Sequence, residues 1–224
     1  MRFKDTHLFS PAASVYLDRG YYTEAVSGTR AYYDFWDKEA SRSTYGFEVN
    51  GIRITGYHYF YLNYCPIDRA VDEVLPDGTV QARRERTFPA FYDGDYDYYH
   101  AVDRCRKESK HMSVLKARRK GFSYKAGSML ARNYFFVKNS KRVNGTDVSL
   151  GMKSQIIGVS LKDNPHKVRG KAGELIFFEE AGSFSGLLTA WEVAMPTMTQ
   201  GSKTLGTMIA FGTGGQEGQG FASL

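Results

Sequence analysis

Cysteine is nearly absent: Cys65 and Cys105 are the two in 224 residues. So few thiols build no disulfide framework and fit a reducing compartment, and neither has metal-ligand spacing around it. No apolar run approaches the roughly 18 residues that a membrane helix needs. Met1 to Ser10 is polar and charged, without the apolar centre of a signal peptide. These absences predict a soluble, cytosolic protein with no membrane partner. The sequence also lacks any match to the phosphate-loop pattern G-x-x-x-x-G-K-[ST].

Aromatic residues are abundant, at 15% of the chain, and they concentrate in the first hundred residues. Large rings carry large buried areas, so that half can build a core. The formal net charge is +6, which is compatible with a polyanionic partner. Composition predicts an aromatic-rich lobe over residues 1–85 and a core domain over 86–224.

Within the lobe, Tyr32 to Trp36 reads as part of a helix. Phe47 to Leu62 reads as strands around an Asn50-Gly51 hairpin turn. A polar loop follows, with Pro76-Asp77-Gly78 as turn chemistry. In the core, Tyr98, Ala101, Val102 and Cys105 fall on one helical face, and that helix ends in Arg104, Arg106, Lys107 and Lys110. Met112 to Lys116 reads as a strand. A helix from about Ser123 to Val137 follows, with Ala126, Met129, Leu130, Tyr134 and Val137 as its buried stripe. Ser154 to Leu161, Leu175 to Phe178 and Thr207 to Phe211 read as further strands, and Phe184 to Met195 as a helix closed before Pro196. Alternating strands and helices predict an α/β fold with a mainly parallel sheet flanked by helices.

Ligands on such sheets bind at the carboxyl ends of the strands. Three unusual segments stand there. The first is Lys116-Ala117-Arg118-Arg119-Lys120-Gly121-Phe122-Ser123. Gly121 allows close backbone approach to a phosphate, and the following helix N-terminus offers free N–H groups. Ser123 can give a hydroxyl to Mg²⁺, Lys116, Arg119 or Lys120 can give the cation, and Arg118 belongs to the same nucleotide-binding turn. The second segment ends an apolar strand in Glu179-Glu180. Adjacent carboxylates there can divide two roles, Glu179 ordering Mg²⁺ and Glu180 polarising water. Two neighbouring strand residues point to opposite sides, which separates them. The third segment, Gly212-Thr213-Gly214-Gly215, is small, flexible and carries one hydroxyl. It suits a sensor of the γ-phosphate. The order is phosphate turn, acid pair, then sensor, as additional-strand ATPases require. The joint expectation is a P-loop NTPase of the additional-strand type, binding ATP and Mg²⁺.

The string Leu115-Lys116-Ala117-Arg118-Arg119-Lys120-Gly121-Phe122-Ser123-Tyr124-Lys125 resembles the large subunits of tailed-phage terminases, the DNA-packaging motors. Several of those proteins carry the phosphate-loop lysine at the start of the motif, where Lys116 stands. Arg119 matches a recurrent arginine two residues before the glycine. Phe177 to Gly182 and Ile209 to Gly215 resemble the family's acid-pair and coupling motifs, and Gly56 to Asn63 resembles its N-terminal lobe. The resemblance implies catalytic roles for Glu180, Glu179, Arg119 and Arg169. It implies that Phe122 belongs to the nucleotide loop, that Phe88, Pro89 and Tyr92 hold the adenine, and that Gly212, Thr213 and Gly214 couple hydrolysis to movement. It further implies double-stranded DNA, a portal protein and a small terminase subunit as partners, a homo-oligomeric ring, and action in the host cytoplasm at the procapsid portal.

Two departures from that family stand out. No clear sheet strand is legible between the phosphate-loop helix and Gly151, which predicts a segment omitted near Ser140 and Lys141. No motif of the family's nuclease domain is legible in these residues, and no nuclease activity is expected from them. Asp93, Asp95 and Asp97 resemble a metal cluster but read as surface or helix-capping acids. The alternatives are a helicase-like DNA-stimulated ATPase and a non-catalytic nucleic-acid-binding module.

Overall fold

The computed structural model describes residues 2–143, 146–151, 155–161, 164–171, 173–215 and Gly220. The chain forms two compact units, Met1–His100 and Ala101–Leu224.

The first unit contains α1 (Pro11–Arg19), α2 (Arg30–Tyr45), the hairpin strands β1 (Phe47–Val49) and β2 (Ile52–Ile54), α3 (Gly56–Tyr64), the ribbon strands β3 (Ile67–Val74) and β4 (Val80–Thr87), and the start of α4 (Asp93–Lys107). Its core joins Phe9, Ile54, Tyr59, Leu62 and Phe91. His58 stacks on both Phe91 and Tyr99, with ring centroids 5.1 and 4.9 Å away. These rings draw residues 88–100 into this unit, so the division falls within α4.

Two expectations are corrected here. Asn50-Gly51 does turn a hairpin, with Val49 opposite Ile52. The strand reading fails beyond Ile54, because Gly56–Tyr64 is helical. Thr55 caps that helix by accepting from the His58 N–H. Every residue from Gly56 to Asn63 is buried, so no amphipathic stripe marks the helix in the sequence. Gly56 is needed for close approach: a Cβ there would lie 2.3 Å from the Ser43 carbonyl oxygen. The polar loop is likewise a ribbon, β3 pairing antiparallel with β4 around the Asp77-Gly78 turn. Both its faces are largely exposed and charged, which hides the usual period-two alternation.

The second unit holds the rest of α4, then β5 (Met112–Leu115), α5 (Phe122–Val137), β6 (Lys138–Val143), β7 (Thr146–Gly151), β8 (Leu175–Glu179), α6 (Leu187–Ala194), the short pair β9 (Thr199–Gln200) and β10 (Lys203–Thr204), and β11 (Thr207–Gly212). The central sheet has three parallel strands in the order β5-β11-β8. All six residues of β11 are buried, as suits a central parallel strand covered on both faces. Phe178, Leu187, Ala190, Met208 and Ala210 form the core under α6. The unit is therefore α/β, with helices flanking a small parallel sheet.

Two further expectations change. Residues 155–161 form no strand; Ile156 and Ile157 are half exposed instead. Apolar, β-branched residues favour a strand only where a neighbouring ladder receives them. The stretch after α5 is an antiparallel hairpin, β6 with β7, in which Ser140 faces Ser149 and Lys141 faces Val148. On α5 itself, Ala126 and Met129 are buried, while Tyr134 is 36% exposed. No helix among the described residues is long and apolar enough to cross a membrane.

Candidate functional site

The turn after β5 is anchored at both ends. The Lys116 N–H donates to the Gly212 carbonyl at 3.0 Å, carrying the β5-β11 pairing one residue past the strand. At the other end the Lys125 N–H donates to the Gly121 carbonyl at 3.1 Å, the first helical bond of α5. Between them Arg119 and Gly121 both adopt left-handed φ, 60° and 67°. Gly121 takes that conformation at no steric cost, whereas Arg119 pays for it. Lys116 is half-buried, and Arg118, Arg119 and Lys120 are exposed. The 16-residue helix α5 directs the positive end of its dipole and its free first-turn N–H groups toward this turn.

Ser123 lies in that first turn, and its hydroxyl donates to the Glu179 carboxylate. Glu179 is the last residue of β8. Glu180 is already outside the strand, with φ 55°. The alternation of a strand is therefore not what separates the two acids; a left-handed turn does so. Such a φ is costly for a non-glycine residue and is concentrated at functional sites. The turn is held by Ser183, whose N–H and hydroxyl donate to the Glu180 carbonyl at 3.0 and 3.2 Å.

The end of β11 packs backbone to backbone on this acid turn. The Ala181 N–H donates to the Phe211 carbonyl at 3.1 Å. A Cβ on Gly182 would lie 1.4 Å from the Thr213 carbonyl oxygen, and one on Gly215 would lie 1.6 Å from the Gly182 carbonyl oxygen. Glycine is thus required on both sides of the contact. The acid pair and the Gly212–Gly215 segment form one continuous piece of backbone packing.

Beside them opens a cleft of about 610 Å³, whose lining includes Ser123, Gly127, Glu179, Glu180, Ile157 and Phe184. Its lining thus mixes the polar Ser123, Glu179 and Glu180 with apolar side chains.

The structure therefore brings together Ser123, Glu179 and Glu180, and it joins the acid turn to Gly212, Thr213 and Gly214. Lys116, Arg118, Arg119, Lys120, Gly121 and Phe122 form the adjoining turn and helix start, outside the lining of the cleft. Arg169 is exposed beyond the short helical turn Pro165–Val168 and is not part of that lining either. Phe88, Pro89 and Tyr92 belong to the first unit. There Phe88 packs edge-on against Tyr16 at 5.8 Å, Pro89 is buried, and the Tyr92 carbonyl accepts from the N–H groups of Asp95 and Tyr96 at the start of α4. Asp93 and Asp97 engage Arg2, at 2.6 and 2.7 Å, and no metal-holding acid, histidine or cysteine group occurs among the described residues.

The burial of one residue in the quoted string was not legible in the sequence. Lys125 is 4% exposed, its ammonium donating to the Lys120 carbonyl at 2.8 Å and standing 4.4 Å from the centre of the Phe122 ring. The available signal was a lysine on the buried stripe of α5, next to Ala126 and one turn before Met129.

No protein-family model matches the chain, and no match to it is found among curated proteins or solved structures.

Proposed function

We propose that this chain is a Mg²⁺-dependent ATPase of the additional-strand P-loop type, and that it serves as the ATPase portion of a DNA-packaging motor. The observation that carries the first part is the Ser123 hydroxyl bonded to the Glu179 carboxylate. It joins the helix that follows the basic turn to the strand that ends in the acid pair. The strand order β5-β11-β8 supports the same reading: an additional strand lies between the phosphate-turn strand and the acid strand. A hydroxyl and a carboxylate in contact are a suitable hard-oxygen pair for Mg²⁺. When bound there, Mg²⁺ supplies neutralisation of the phosphate charge.

The chain's own groups then divide the work. Backbone N–H groups at Gly121 to Ser123 and the helix dipole receive phosphate oxygens. Lys116 and Arg119 add positive charge from the turn. Glu180 orients the attacking water in line with the bond to be broken. The packing of Gly182 on Thr213 would carry a displacement of the acid turn to the end of β11. DNA as the substrate that is moved, a ring of subunits, and the portal and small-subunit partners rest on the resemblance of the motifs to terminases. The displaced lysine position, Lys116, is its most specific part.

The test is steady-state hydrolysis and equilibrium binding of Mg-ATP, with and without double-stranded DNA. Glu180→Gln should keep ATP affinity and lose turnover by about 10²-fold or more, the scale of a positioned general base. Lys116→Ala should weaken ATP binding itself. A Glu180→Gln protein that hydrolyses ATP at the unaltered rate refutes the assignment. DNA binding with no hydrolysis by the unaltered protein would favour the non-catalytic binding module.

A further inference from the structure

The helix that follows the basic turn carries a lysine whose ammonium points back onto that turn. Lys125 lies three residues after Phe122 on α5, so the two side chains share a helical face. Its aliphatic stem is buried, and its ammonium reaches back to the turn rather than out to solvent. There it meets two groups at once: the Lys120 carbonyl at 2.8 Å and the face of Phe122 at 4.4 Å. Lys120 stands between Arg119 and Gly121, the two left-handed residues that shape the turn. Its carbonyl fixes the peptide plane whose nitrogen belongs to Gly121. A hydrogen bond to that carbonyl therefore sets the direction of an amide proposed to receive phosphate.

We propose that Lys125 is a positioning residue: an internal brace that holds the 119–121 turn in its anion-receiving conformation before nucleotide arrives. Four cations in the turn itself, Lys116, Arg118, Arg119 and Lys120, are available to meet phosphate directly. Lys125 acts instead through the backbone. A charge-assisted hydrogen bond with an added cation–π contact is strong enough to hold one peptide plane against a left-handed neighbour that would otherwise relax. The brace spares the nucleotide the entropic cost of ordering the turn, which is how preorganisation raises affinity. The binding part of this inference rests on the ATPase reading of the same site; the conformational part does not.

The experiment uses the full chain with Lys125→Met and Lys125→Arg. Methionine keeps a flexible apolar stem beside Phe122 and removes the donor. The group that loses its donor is the Lys120 carbonyl in the exposed turn, where water can replace it, so the loss should be local. Two readouts are taken. The first is amide hydrogen exchange over residues 117–123 in the free protein, with the β11 amides as an internal reference. The second is titration calorimetry with Mg-ATP and with pyrophosphate.

Lys125→Met should speed exchange in the turn while leaving β11 unchanged. It should weaken both ligands about tenfold, the loss expected when one charge-assisted hydrogen bond no longer preorganises the site. Lys125→Arg, which keeps a cationic donor, should recover part of both effects. Unchanged exchange together with unchanged affinity overturns the brace. Weaker binding without faster exchange also overturns it, because Lys125 would then touch the ligand. Uniformly faster exchange, β11 included, in both variants overturns it in favour of a core role. If the unaltered protein binds neither ligand yet Lys125→Met loosens the turn alone, the ATPase reading fails and the brace stands.

Discussion

Gly182→Ala isolates the contact between the acid turn and the end of β11. The φ of Gly182 lies outside the left-handed range, so alanine meets no backbone penalty there, only the atoms it strikes. Its Cβ would lie 1.4 Å from the Thr213 carbonyl oxygen and 2.6 Å from the Thr213 carbonyl carbon. Both are backbone atoms, so no side chain can swing aside. Even a close carbon–oxygen contact needs about 3.3 Å, which requires the two segments to part by roughly 2 Å. That movement strains the Ala181–Phe211 bond of 3.1 Å and the Lys116–Gly212 bond of 3.0 Å. Two backbone hydrogen bonds at about 1 kcal/mol each, with overpacking of about 1–3 kcal/mol, give a loss of about 3–5 kcal/mol. Urea denaturation followed by a probe in the second unit, such as Trp191, measures it. The control is Gly127→Ala in the middle of α5, where an added Cβ meets nothing within 4 Å. Alanine there should stabilise by about 0.5–1 kcal/mol through helix propensity. Equal, small effects of the two substitutions would refute the claim that the acid turn and the β11 end are packed against each other.

Other consequences follow from groups away from the turn. Glu39 is 3% exposed and receives Tyr59 at 2.6 Å, Tyr64 at 2.7 Å and Arg42 at 2.7 Å. Burial, and then the Glu39 carboxylate, push both tyrosine hydroxyls well above their ordinary pKa, so they remain donors at any working pH. Glu39→Ala should therefore cost about 3–5 kcal/mol in the first unit, seen as a lower denaturation midpoint. His111 accepts the Met208 N–H at 3.2 Å, and burial lowers its pKa from 6.5. The unfolded chain then binds the proton first, so stability is full above pH 6.5 and declines as pH falls below it. Denaturation at pH 7.5 and 5.5 should show that decline, and His111→Gln should flatten it.

Much of the second unit could be read from local sequence. Met112–Leu115, Leu175–Glu179 and Thr207–Gly212 are apolar runs of strand length, and α5 carries a legible stripe through Ala126 and Met129. The ends of those runs carry the unusual residues, so the candidate site was visible as three separate pieces. Misreadings arose where local pattern is silent. A helix buried all round, Gly56–Tyr64, has no stripe, and a two-stranded ribbon exposed on both faces, Ile67–Thr87, has no alternation. Residues 155–161 have the composition of a strand without a ladder to join.

By itself the sequence determined which residue types stand at the end of each run: a basic turn with Gly121, the carboxylates of Glu179 and Glu180, and the small residues from Gly212 to Gly215. Those are properties of neighbours along the chain. Only the tertiary structure decided that β11 lies between β5 and β8, because strand order depends on which hydrophobic faces meet. The same long-range packing brought Ser123 to Glu179 across 56 residues, pressed Gly182 onto Thr213, and turned Lys125 inward to the carbonyl of Lys120 rather than outward with its neighbours. A lysine written beside four other cations reads as one more surface charge. Burial alone distinguishes it, and burial belongs to the fold.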